Sequence, residues 1–213
     1  MRIRSKFIGA GVAVLAVVAS GTSAYAALTD STNFSQSITG GAFSTFIGDA
    51  SGVEVVSPSV SFAAATVSNA MQTSTGTFGT SGERIYVDNP GAITGSNGWT
   101  LSLAATSGAS AKWTSGGNQY SFNGAAPANG QLTVNATPGT LTAEVGTTTG
   151  ITKGTSSTFS GGTNTPINLL TAASTADDIN RVYLTGVSLS QTIPASTPAG
   201  TYTLDFTQTA AQV

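Results

Sequence analysis

Cysteine and histidine are both absent from the 213 residues, and only 8% of the chain is charged. Without them there is no Ser-His-Asp or Cys-His nucleophile, no common zinc ligand set and no thiol redox chemistry. Disulfides are excluded as well, so stability must come from an apolar core and a hydrogen-bonded sheet. Nine carboxylates remain, and a glycosidase needs only two of them across a cleft. None stands in a recognisable catalytic context, and the chain is small for a polysaccharide hydrolase, so we expect a protein that is not an enzyme.

Long apolar runs are also missing. The run from Phe7 to Ala19 is shorter than the roughly 20 residues that a membrane-spanning helix needs. Arg2, Arg4 and Lys6 precede it and Ala24-Tyr25-Ala26 follows, which gives the three parts of a secretory signal peptide. We expect cleavage after Ala26, export, no transmembrane segment in the remainder and, with no lipobox cysteine, no lipid anchor. Losing residues 1–26 removes three basic residues and no acidic one, leaving four against nine, a net charge of −5. Arg84, Lys112, Lys153 and Arg181 are too few and too dispersed to track phosphates, so nucleic acid is not an expected partner.

What the chain does have is short alternating segments rich in Val, Ile, Leu, Thr and aromatics, punctuated by Gly and Pro. In Trp99-Thr100-Leu101-Ser102-Leu103 the apolar side chains fall on one face of a strand and the polar ones on the other. Residues 27–52 read as an N-terminal arm or leading strand. Residues 54–62, interrupted by Pro58, read as an edge strand or as two short strands meeting at a bend. Arg84 to Val87 reads as a strand ended by the turn residues Asp88-Asn89-Pro90-Gly91. Residues 112–114 and 119–122 flank Gly116-Gly117-Asn118 as a hairpin.

Further on, residues 131–134 and 141–145 read as strands, and residues 146–166 as a long mobile surface loop. Residues 167–176 have a helix-like composition worth a single turn. Residues 181–190 read as one strand bulged at Gly186, and residues 200–207 as the last strand. The whole predicts an all-β, single-domain β-sandwich over residues 53–213, Ig-like or Greek-key, with about 8–10 short strands.

Six aromatic residues, Trp99, Trp113, Tyr120, Phe122, Tyr202 and Phe206, are available for a platform on which the apolar face of a sugar ring can stack. Trp99 sits in regular alternation, as a core residue does, whereas Trp113 follows a lysine in a Gly-rich hairpin and is the better candidate for exposure. We take Trp113 and Tyr120 from this set as candidate ligand-binding residues. Asp177-Asp178-Ile179-Asn180 supplies hard oxygen ligands of the kind calcium accepts outside the cell, which makes Asp177 and Asp178 candidate calcium ligands. The same residues also suit a turn or a strand end, and no other cofactor is expected.

The strand ending at Asp88, the Gly-rich turn and then Gly98-Trp99-Thr100-Leu101 resemble the first motif of the WxL family of Gram-positive cell-surface proteins and its approach. Ile193-Pro194 and Pro198-Ala199-Gly200-Thr201-Tyr202-Thr203 resemble the lead-in to its second motif. Where that motif expects a second Trp-x-Leu, this chain has Gln208-Thr209-Ala210. The resemblance implies non-covalent attachment to peptidoglycan or another cell-wall glycan and, through the matched motif positions, adds Trp99 and Leu101 to the candidate ligand-binding residues, with nothing carried onto Gln208 or Ala210. It also implies partnership with other WxL proteins and with WxL-interacting membrane proteins. The expected function is therefore a secreted, wall-associated surface protein. The alternative is a self-associating structural subunit of a surface layer or fibre, built by strand addition from the arm.

Overall fold

The alternation around Trp99 builds a strand with a fully buried inner face: Trp99, Leu101, Leu103 and Ala105 enter the core. In the computed structural model of the chain, residues 35–93 and 97–213 are described. The expected signal peptide and the arm as far as Phe34 lie outside the described residues. Residues 38–213 make one unit.

Fourteen strands form among the described residues. The first seven are β1 (Ser44–Gly48), β2 (Gln72–Phe78), β3 (Arg84–Pro90), β4 (Trp99–Ala105), β5 (Lys112–Ser115), β6 (Asn118–Ser121) and β7 (Leu132–Asn135). The rest are β8 (Thr140–Val145), β9 (Ile151–Lys153), β10 (Ser157–Thr158), β11 (Ile167–Ala172), β12 (Ile179–Thr185), β13 (Val187–Ile193) and β14 (Phe206–Gln212). All pairings are antiparallel, in sheets ordered β1-β3-β12-β8, β10-β7-β13-β2 and β14-β4-β11-β9, with β5-β6 as a separate hairpin.

The first two sheets are one sheet bent across its middle. β2 leads into β3, β7 into β8 and β12 into β13, and the lateral order is the same on both sides of the bend. Glycines line the bend. Gly79 and Gly186 have φ of +78° and +75°, a region that favours glycine. A Cβ on Gly139 would lie 2.7 Å from the Thr185 carbonyl oxygen. The third sheet packs across the bent one. Ile85, Val87, Val182 and Leu184 from one half of the bent sheet meet Leu132, Val134, Val187 and Leu189 from the other, and Leu101, Leu103, Leu169 and Leu170 from the third sheet. The architecture is the all-β sandwich expected from the sequence, with fourteen strands in place of 8–10.

Several local expectations are corrected. Residues 146–166 are not a mobile loop: they hold β9 and β10, and Ile151 and Phe159 are buried in the core. Residues 167–172 form β11 and not a helical turn, because Ile167, Leu169, Leu170 and Ala172 all find core neighbours, helped by an irregularity between Asn168 and Leu170. The segment from Arg181 to Ser190 is two strands in two halves of the bent sheet, parted by Gly186. Asp88, Asn89 and Pro90 prolong β3 because buried Asn89 turns its side chain onto Ile93, accepting from its amide and donating to its carbonyl, both at 2.9 Å. Residues 54–62 make only isolated bridges, Glu54 with Gly48 and Phe62 with Gly76. The last strand begins at Phe206, since Thr203 is diverted into a bridge with Thr114.

Candidate functional site: an uncharged aromatic cleft

The β5-β6 hairpin forms on Ser115-Gly116-Gly117-Asn118, with Gly116 at φ +58°. Its register sets Trp113 directly opposite Tyr120, and the two rings stack with centroids 6.1 Å apart. Tyr202 adds a third ring, edge-on to Tyr120 at 5.0 Å, and Phe62 a fourth, edge-on to Trp113 at 5.4 Å. The last two come from irregular segments, and the bonds that hold those segments are specific. Thr203 and Thr114 exchange two backbone hydrogen bonds at 3.0 Å, and the Tyr202 hydroxyl donates to the Pro198 carbonyl at 3.0 Å. Ala63 donates to the Thr75 carbonyl at 2.7 Å, and Ser74 Oγ donates back to the Ala63 carbonyl. Gly76 leaves room for this approach, since a Cβ there would meet the Phe62 ring at 3.3 Å.

These rings wall a cleft of about 700 Å³ whose other lining is Ser, Thr, Gln, Ala, Val, Ile, Pro and Gly, with no charged residue. Trp113 is only 8% exposed, which corrects the expectation that it is the exposed tryptophan. Its indole Nε1 donates to Gln191 Oε1 at 2.8 Å, and Gln191, itself 1% exposed, donates from Nε2 to the carbonyls of Ser121 and Thr192. A buried amide with both ends satisfied fixes the indole against the cleft floor. Tyr120 and Tyr202 are half-buried. Burial pushes the Tyr120 phenol up to about 12, with neighbouring Tyr202 adding to it.

Trp99 and Leu101 are elsewhere. They are 2% and 0% exposed in the middle of the third sheet, and their side chains point into the core, with Phe43 against the Trp99 ring at 6.0 Å. As ligand-binding residues they are corrected: a ligand at the surface does not reach them. Of the four candidates the structure therefore brings Trp113 and Tyr120 to one site, together with Tyr202. Phe62 and Gln191 belong there too and were not picked out in the sequence. Gln191 carried only the alternation of β13 as a signal.

Asp177 accepts from the Thr147 amide through Oδ2 at 2.6 Å, and its carbonyl accepts from Asn180 Nδ2. The Asp178 carbonyl accepts from Asn89 Nδ2 at 3.0 Å. Among the described residues no three Asp or Glu side chains gather as a metal site would require.

Four charged residues, Arg84, Asp88, Glu144 and Arg181, cluster on the outer face of β3, β12 and β8. Arg181 Nε lies 3.6 Å from Glu144 and 4.0 Å from Asp88, and Arg84 lies 3.7 Å from Glu144. The Tyr86 hydroxyl donates to Glu144 at 2.6 Å. Arg181 and Arg84 also donate to the carbonyls of Gly52 and Ala50, at 2.6 and 3.2 Å. Both arginines are thus spent on fastening the loop after β1 to the sheet, and the aromatic cleft is left without charge.

No protein-family model, no curated protein and no solved structure matches this chain.

Proposed function

We propose that this chain is a secreted bacterial surface protein that associates non-covalently with the cell wall, its uncharged aromatic cleft taking the glycan strand of peptidoglycan. The observation that carries the reading is the cleft itself. The half-buried Tyr120 and Tyr202 offer ring faces and edges, backed by the buried Trp113, and the surrounding hydroxyls and amides match the hydroxyl and N-acetyl groups of a sugar chain. The resemblance to WxL surface proteins and the signal-like N-terminus support the same location. Attraction by charge has no part in it, because the protein without its signal is acidic and the cleft carries no charge. No turnover is involved. Affinity comes from apolar contact and hydrogen bonds.

The test is co-sedimentation of residues 27–213 with purified Gram-positive peptidoglycan at low and high salt. Pelleting that persists at high salt is expected, since salt screens charge pairs and not ring stacking. Absence of pelleting at either salt, or its loss at high salt, refutes the reading.

A further inference from the structure

Two segments, residues 60–67 and 197–203, line the glycan cleft, and both continue past it into a second cleft of about 550 Å³. The two clefts share Val60, Phe62, Trp113, Tyr202 and Thr203 as lining. The second differs from the first in character: it reaches Leu103 and Leu189 of the core, and Phe46, Ile47, Leu204 and Phe206 wall it. β1 and β14 come together at one end of it, where Gln208 Nε2 donates to Thr45 Oγ1 at 2.9 Å. A polar, ring-lined cleft and an apolar one are thus joined along a common wall.

The apolar cleft also offers peptide groups. Thr203 spends both of its backbone groups on Thr114, and the Asp205 carbonyl accepts from the Thr106 amide. The backbone groups of Leu204, between them, turn the other way by strand alternation and make no hydrogen bond among the described residues. Those of Val60, from the other segment, make none either. A hydrocarbon chain leaves such groups unanswered, whereas a peptide backbone pairs with them. The charged residues in the lining are Glu83 and Asp205, both acidic, which disfavours a fatty acid or an anionic lipid.

Peptidoglycan brings a peptide to this place. Every second sugar of its glycan strand carries a short, alanine-rich peptide branch on a lactyl group, so a strand held in the polar cleft presents a branch beside it. We propose that the apolar cleft is the subsite for this peptide branch. With the sugar on Tyr120 and Tyr202, the branch passes Phe62 into the second cleft, where its alanine methyls pack on Ile47, Leu204 and Phe206 and its backbone pairs with the free groups of Leu204 and Val60. The inference rests on the wall-binding reading and makes it narrower: the pair of clefts selects a glycan that carries peptides over a bare one.

The test is displacement of residues 27–213 from peptidoglycan sacculi by two soluble fragments. One is the repeating disaccharide carrying its peptide with the free carboxyls amidated; the other is the same disaccharide with its lactyl group capped as a simple amide, so that the two differ in the peptide and not in acidic charge. The peptide-bearing fragment is expected to displace the protein at a several-fold lower concentration. In Leu204→Asp, verified as folded by circular dichroism, that advantage disappears while displacement by the bare disaccharide stays as in the parent protein. Equal displacement of the parent protein by both fragments overturns the proposal and leaves wall binding standing, and this comparison needs no variant. An advantage that Leu204→Asp retains in full places the peptide elsewhere and overturns it too. A parent protein that does not pellet with sacculi at all refutes the wall-binding reading itself, and this inference with it.

Discussion

The amide of Gly186 donates to the carbonyl of Gly79 at 2.7 Å, and this bond ties together two of the three strands at the line where the main sheet bends. Gly139 lies against the same line, its Cα 3.5 Å from where a Gly186 Cβ would stand. The bend wraps the sheet around its own core and fixes where the third sheet and the hairpin settle. An alanine at position 186 must adopt φ near +75°, which costs about 1–2 kcal/mol. For a domain of this size that lowers the melting temperature by about 2–8 °C. Gly82→Ala, where a Cβ meets nothing within 4 Å, is the control. Thermal melts that place the two variants together remove the bend from the account.

Gln191→Leu leaves the Trp113 indole N–H and two carbonyls without their partner at a buried position. A loss of about 1–3 kcal/mol in urea unfolding is expected from one orphaned buried group. A stability equal to the parent protein shows that the indole is held by packing alone.

The Tyr120 phenol titrates near 12, above its ordinary value of 10. The folded state therefore keeps a proton that the unfolded state loses first. The stability contributed by this burial is complete below pH 10 and falls as pH rises from there toward 12. Ultraviolet titration of tyrosinate absorbance reads it as the late-ionising contribution that Tyr120→Phe removes, distinct from that of Tyr86, whose phenol is also raised by burial and by its bond to Glu144. If the absorbance that Tyr120→Phe removes forms at pH 10 in the folded parent protein, the buried placement is contradicted.

The sandwich was legible in the sequence wherever a strand has one wet face. Around Trp99 and in the hairpin, period-two alternation and Gly-rich turns name the elements directly. It was illegible where neighbours decide. The strand from Ile167 shows no alternation because Leu169 and Leu170 are buried together at an irregularity, and its small apolar residues read equally well as a helix. Residues 151–159 look like a loop because Thr, Ser and Gly dominate, and only Ile151 and Phe159 tie them to the core. The cleft was half visible. Trp113 and Tyr120 face each other across a readable turn, but Phe62 and Tyr202 arrive from irregular segments 51 and 89 residues from Trp113 in the sequence. No local pattern encodes that meeting. Trp99, the most conspicuous residue of the sequence, belongs to the core.

The most direct measurement is peptidoglycan co-sedimentation of Tyr202→Ala and Tyr120→Ala beside Trp99→Phe, each verified as folded by circular dichroism. The account predicts that the two cleft variants stay in the supernatant at protein concentrations where the parent pellets, and that Trp99→Phe, altered only inside the core, pellets as the parent does. Cleft variants that pellet undiminished, or a selective loss in Trp99→Phe, would contradict the assignment of the wall-binding surface to the Trp113-Tyr120-Tyr202 cleft.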